Sequence, residues 1–126
     1  MNSYIIKRFQ SFCLINFPTK TSFITRYEIR EVMEKEGCRQ GNIDDLHLFL
    51  TNNLGGGEWQ IFATGTVERD AADNFRVATL WRARSRYHGA TEDEIASYPC
   101  GRCDNDDESP MCFNTGSDQY FLGVSK

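Results

Sequence analysis

Cys100-Gly101-Arg102-Cys103, followed by Cys112, is the one local cluster in this chain with the residue types and spacing of a metal knuckle. Three of the five cysteines fall within thirteen residues. Two sulfurs separated by two residues can grip one Zn²⁺ from a single tight turn, and Gly101 lets the backbone fold around the ion. A structural site needs a fourth ligand. His88 is the first candidate, with Cys38 or a carboxylate of Asp104, Asp106 or Asp107 behind it. The expectation is therefore one structural Zn²⁺ on Cys100, Cys103, Cys112 and His88. A second complete Cys-x-x-Cys pair, which would make the pattern specific, is not in the sequence. Free thiols, or a Cys100–Cys103 or Cys103–Cys112 disulfide, fit the same residues. A thioredoxin-type dithiol fits less well, because that motif opens a helix after a strand. Here it follows an expected helix and runs straight into acid.

That acid is the second feature. Asp104, Asp106, Asp107 and Glu108 form a short run, with Glu92, Asp93 and Glu94 close by in sequence. Such a run ordinarily solvates a loop, but it can also steer and dock a basic protein by long-range attraction. It lacks the alternating ligand spacing of an EF-hand calcium loop. The third feature is basic. On a strand, Arg76, Arg82, Arg84 and Arg86 share one face, and such a row can bind phosphates while Trp81 or Tyr87 offers stacking surface. Against this, arginine on a solvated strand face is ordinary, and Glu68 can pair with it across a hairpin. An acidic chain also lacks the broad positive field of non-specific nucleic-acid binding.

His47 and His88 are the only histidines, and His47 reads as a helix-surface residue. No Gly-x-Ser-x-Gly, His-Glu-x-x-His or phosphate loop is present. Gly55-Gly56-Gly57 precedes a strand rather than opening a helix, so it reads as a connector. An enzyme would have to assemble its site in space, for example from Cys112, His88 and an acid.

What must position these groups is one ordinary domain's worth of chain. The 126 residues are 40% hydrophobic, with nine Phe, five Tyr and two Trp, enough for an aromatic core. The formal charge of −4 is uneven. No acid precedes Glu28, and four of the fourteen basic residues (Lys7, Arg8, Lys20, Arg26) lie before it. The remainder sets ten basic residues against all eighteen acids, a net of −8. An acid-free start rich in Arg, Ser, Thr and Phe has the composition of a mitochondrial transit segment over 1–27. The plainer reading is a first element whose cations lie over an acidic body. No apolar run is long enough to span a bilayer, so no membrane partner is expected. An odd cysteine count without an export signal suits a reducing, cytoplasmic compartment, and Cys13 and Cys38 then read as small buried hydrophobes.

Along the chain, 3–17 has a mixed period that leans to strand, ended by Pro18. Thr25 and Glu28 have capping-box spacing, flanked by Ile24 and Ile29 as a hydrophobic staple, and Gly37 supplies the stop. A second helix begins after Asn42, with Asp44 and Asp45 in its positive first turn. Trp59, Ile61, Ala63 and Val67 alternate with polar residues as a half-buried strand, and 75–82 alternates likewise, giving an antiparallel hairpin. Thr91 and Glu94 repeat the capping-box spacing ahead of a short helix stopped by Pro99. The segment from Cys100 to Asp118 reads as irregular, and Tyr120, Leu122 and Val124 close as a last strand.

These readings give one α+β domain over 1–126: a basic segment 1–24, a helical part 25–53, and a sheet with a Cys loop over 58–126. The expected architecture is a small antiparallel sheet of three to four strands packed against two helices, with the Cys-containing loop before the last strand. The function that fits is a small non-enzymatic binding or inhibitor protein, of the phage- or plasmid-encoded type that antagonises nucleic-acid-handling enzymes. It would engage a basic protein partner through Asp104, Asp106, Asp107 and Glu108. The alternatives are a zinc-stabilised nucleic-acid-binding domain using the arginine stripe, and a Cys/His enzyme.

Overall fold

A computed structural model describes residues 4–18, 23–52, 54, 60–69, 71, 75–82, 93–100, 112–114 and 119–126. Their elements run β1 (Ile5–Phe9), β2 (Phe12–Asn16), β3 (Phe23–Thr25), α1 (Arg26–Lys35), β4 (Cys38–Gln40), α2 (Ile43–Thr51), β5 (Gln60–Arg69), β6 (Phe75–Trp81), β7 (Glu94–Cys100), β8 (Cys112–Asn114) and β9 (Gln119–Ser125). Seven strands make one sheet, ordered β1-β2-β9-β5-β6-β7, with β4 also paired to β9. Strands β3 and β8 form a separate antiparallel pair. Every ladder of the large sheet is antiparallel except β5 with β9.

This corrects the expected small antiparallel sheet of three to four strands: the fold is sheet-dominated and mixed. The reason lies in burial on two faces. Along β2, Cys13 and Ile15 join a core with Ile29 and Met33 of α1, while Phe12 and Leu14 join a core with Leu46 and Phe49 of α2. Phe62, Val77 and Phe121 belong to the first core, and Ile61, Leu80 and Leu122 to the second. One helix therefore covers each face. Strands covered on both sides read as continuous apolar runs and lose the alternation that marks a half-buried strand. Phe62 and Phe121 stack at 5.4 Å on the α1 side, and Phe12 meets Phe49 edge-on at 5.6 Å on the α2 side. Full burial of a phenylalanine contributes roughly 2–3 kcal/mol.

Both helices start as their caps require. The Thr25 hydroxyl accepts from the Glu28 amide at 3.1 Å and the Glu28 carboxylate accepts from the Thr25 amide at 3.3 Å. In α2, Asn42 Oδ1 accepts from the Asp45 amide at 3.0 Å, and Asp45 Oδ2 accepts from the Asn42 amide at 2.9 Å. Gly37, at φ 75°, takes the left-handed conformation that ends α1. The helix expected between Thr91 and Pro99 is instead strand β7, and Thr91 lies outside the described residues. Pro99 is tolerated because β7 pairs only with β6 among the described residues, and an edge strand can spare one donor. Strand β8 falls within the stretch expected to be irregular.

Strand β5 carries a bulge. Ala63 pairs with Ala78 but Val67 pairs with Val77, so Thr64, Gly65 and Thr66 leave the ladder. They are not idle. The Gly65 amide donates to Gly41 O at 2.7 Å, the Thr64 hydroxyl to Gln40 Oε1 at 2.7 Å, and Arg26 Nε to Thr64 O at 2.9 Å. The Ile43 amide donates to Thr66 Oγ1 at 3.2 Å. The start of each helix is thus tied to one bulge.

Candidate functional site

The outer edge of α1 holds a pocket of about 220 Å³ lined by Tyr4, Phe17, Ile24, Glu28, Glu31, Val32 and Lys35. Its residues are brought together by three elements. Glu28, Glu31, Val32 and Lys35 project from one side of α1 at spacings of three and four, which share a helix face. Ile24 and Phe17, both fully buried, supply an apolar floor from β3 and the end of β2. Tyr4 closes the far side, stacked obliquely on Phe17 at 6.1 Å. The Tyr4 hydroxyl donates to Glu36 Oε2 at 2.5 Å, and Arg8 Nη2 donates to Glu36 Oε1 at 3.0 Å, so β1 is clamped to the end of α1. That hydrogen bond, then burial and the Glu36 charge, raise the Tyr4 phenol above its ordinary pKa. Also on α1, Tyr27 is 45% exposed with Arg30 stacked over its ring at 4.4 Å.

The Glu28 carboxylate is engaged by Thr25 and Lys35 adds a cation to the lining, so Glu31 is the acid that a cationic head on a long aliphatic stem would meet over the apolar floor. Sequence reasoning gave Glu28 only its capping role and passed over Glu31. Their shared face with Val32 was readable from spacing, but the contribution of Tyr4 and Phe17 needs the tertiary fold.

The arginine stripe does not present a uniform row. Arg82 has a side chain only 10% exposed: Nη1 donates to Asp93 Oδ2 at 2.8 Å, Nη2 donates to Leu54 O, and the guanidinium lies 5.5 Å from the Phe49 ring centre. It holds the end of β6 to the start of β7 and the end of α2. Arg76 stands opposite Glu68 across the β5–β6 ladder, as the hairpin reading anticipated, and reaches Ser97 O at 3.4 Å. Arg76 and Glu68, but not Arg82, line a second cleft of about 200 Å³ with His47, Thr66 and Ser97, and with Ile43 and Ile95 for its apolar part. Arg84 and Arg86 lie outside the described residues.

The cysteine cluster is described in part. Cys100 is the last residue of β7 and Cys112 the first of β8, so the stretch between them begins and ends on strands of different sheets. Their side chains, together with Cys103, His88, Asp104, Asp106, Asp107 and Glu108, lie outside the described part. Among the described residues no three His, Cys, Asp or Glu side chains gather closely enough to hold a metal ion. Cys13 and Cys38 are fully buried, as read, but they also meet: their sulfurs are 3.0 Å apart. Burial, then the hydrogen bond with Cys38, pushes the Cys13 thiol up to about 12. Among the described residues no helix is long and apolar enough to cross a membrane.

Comparison with protein-family models, with curated proteins and with solved structures finds no match to this chain.

Proposed function

We propose that this chain is a non-enzymatic binding protein that captures a basic protein partner, in a reducing, cytoplasmic setting. The observation that carries the reading is the α1 pocket, where Phe17 and Ile24 form a floor and Glu28, Glu31 and Lys35 a charged rim with one acid in excess. A lysine or arginine of the partner would lay its stem on the floor and its charge against the rim. The acidic run of Asp104, Asp106, Asp107 and Glu108 would supply longer-range steering. Antagonism of a nucleic-acid-handling enzyme is the specific form proposed, because such enzymes carry basic surfaces matched to phosphate that an acidic protein can occupy. A structural Zn²⁺ on Cys100, Cys103, Cys112 and His88 belongs to the same proposal and rests on the Cys-x-x-Cys spacing.

The test is affinity capture of a partner followed by association kinetics with three variants. Neutralising Asp104, Asp106, Asp107 and Glu108 together should slow association, with a loss that shrinks as added salt shortens the Debye length below its physiological ~8 Å. Glu31→Lys should speed dissociation, because it places a cation where the partner's cation would sit. Replacing Arg84 and Arg86 should leave binding unchanged. Equal binding by all three variants, or a nucleic acid as the recovered ligand, sinks the proposal.

A further inference from the structure

Cys13 on β2 pairs with Gly123, and Cys38 on β4 pairs with Ser125, so β9 runs between the two cysteines. Only glycine at 123 lets them meet. A Cβ built there would lie 2.6 Å from Cys13 Sγ and 3.3 Å from Cys38 Cβ, well inside ordinary contact. With no side chain in the way, the sulfurs approach to 3.0 Å. That is closer than the ~3.5–4.0 Å of two touching carbon atoms, although sulfur is larger; because strands flanking a third stand about 9.5 Å apart and a disulfide spans at most ~7 Å between Cα atoms, closing the bond also draws β4 toward β2. Met33 Sδ of α1 lies 3.3 Å from the same point over Gly123 and covers the pair.

We propose that Cys13 and Cys38 are a redox-active pair that closes to a disulfide tying β2 to β4 across β9. The oxidant is a low-molecular-weight disulfide, which accumulates in a reducing compartment only under oxidative stress. One protein thiol loses its proton and attacks a sulfur of the small disulfide; a mixed disulfide forms and one small thiol leaves with that proton. The second protein thiol then attacks the protein sulfur of the mixed disulfide, forming the Cys13–Cys38 bond and releasing the second small thiol. Two electrons and two protons pass from the protein to the oxidant. The thiolate is the attacking species, and burial disfavours it here. Both side chains are inaccessible in the closed fold. Exchange therefore proceeds during folding or on opening of the sheet near β4, and the bond once made is shielded from reductant.

The experiment refolds a variant with Cys100, Cys103 and Cys112 replaced by serine in buffers spanning ratios of oxidised to reduced glutathione. At the oxidising end, both remaining thiols should resist alkylation in denaturant, a peptide linked through Cys13 and Cys38 should appear, and melting should rise by roughly 10 °C over the reduced form, as expected for a loop of this length. Cys13→Ser and Cys38→Ser should each abolish that rise. If the triple-serine variant does not fold, peptide mapping of the wild-type chain refolded in the same buffers reads the 13–38 link directly. Two alkylatable thiols at the oxidising end, stable glutathione adducts without closure, or linkage of Cys13 or Cys38 to another cysteine would each overturn the proposal.

Discussion

Replacing Asp45 by alanine tests how α2 is anchored. The side chain is 10% exposed and its carboxylate serves two partners: it accepts from the Asn42 amide at 2.9 Å and from Arg39 through Nη1 at 2.8 Å and Nη2 at 3.2 Å. A hydrogen bond to a charged group contributes ~1.5–3 kcal/mol, and the amide bond falls at the lower end of that range. Arg39 is 46% exposed, so its fork is discounted to the ~0.5 kcal/mol of a solvated pair. Asp45→Ala should therefore cost about 2 kcal/mol, and for a chain of this size that lowers the melting temperature by ~8 °C. Burial alone would raise the Asp45 pKa, but the hydrogen bonds from Arg39 and the Asn42 amide, with the Arg39 charge, outweigh it and hold the carboxyl below its ordinary value. The sign follows. A depressed folded pKa means the stabilisation is complete above the unfolded value of ~3.9 and is lost as pH falls through the folded value. Thermal melts of wild type and Asp45→Ala should differ by a constant amount from pH 7 to about pH 5 and converge below it. Asp45→Asn, which keeps an acceptor for Asn42 but not the charge, should fall between them. Equal melting at pH 7, or a gap that persists unchanged at pH 2–3, would refute the reasoning.

Three further outcomes are expected. Thr25→Ala removes the α1 cap and should cost about 1 kcal/mol in denaturant melts, with Glu28→Ala milder and non-additive because both belong to one motif. Gly123→Ala drives a methyl group into Cys13 Sγ and should destabilise by ~1–3 kcal/mol; it should also prevent closure of the Cys13–Cys38 pair in the refolding assay. A chelator should lower the melting temperature if Cys100, Cys103, Cys112 and His88 hold zinc, and one Zn²⁺ per chain should appear by elemental analysis; unchanged melting with three freely alkylated cysteines removes the site.

The helices were legible because their signals are local. Thr25 with Glu28, and Asn42 with its two acids, act within one turn of chain. Much of the sheet was not. The β1–β2 hairpin turns through Gln10 and Ser11, with Gln10 at φ 55°, where the usual turn residues are Asn or Gly. Nothing in those letters announces a turn, so two strands read as one ambiguous element. Phe62 breaks the alternation of its strand only because its face is buried too, against α1. Strands β3, β4 and β8 have three residues each, too few to show a period. Glu94 had capping-box spacing from Thr91, yet its neighbours Ile95 and Ala96 pair with Leu80 and Thr79 of β6, and tertiary pairing overrode the local pattern. As for the site, the charges were readable while the pocket was not, since Tyr4 and Glu31 meet only once β1 is clamped to α1.

The position of β9 has a consequence for how the chain comes into being. Residues 119–125 are held between β2 on one side and β4 and β5 on the other. A ribosome delivers β1, β2 and both helices long before this strand exists. Until it emerges, the first hairpin has no strand-to-strand bridge to the β5–β6–β7 half. Maturation of the sheet is then a closing event that waits for β9 to be synthesised, and the nascent chain depends in the interval on speed or on chaperones to avoid aggregation. A chain stalled before Gln119 would lack a central strand of its sheet rather than an edge.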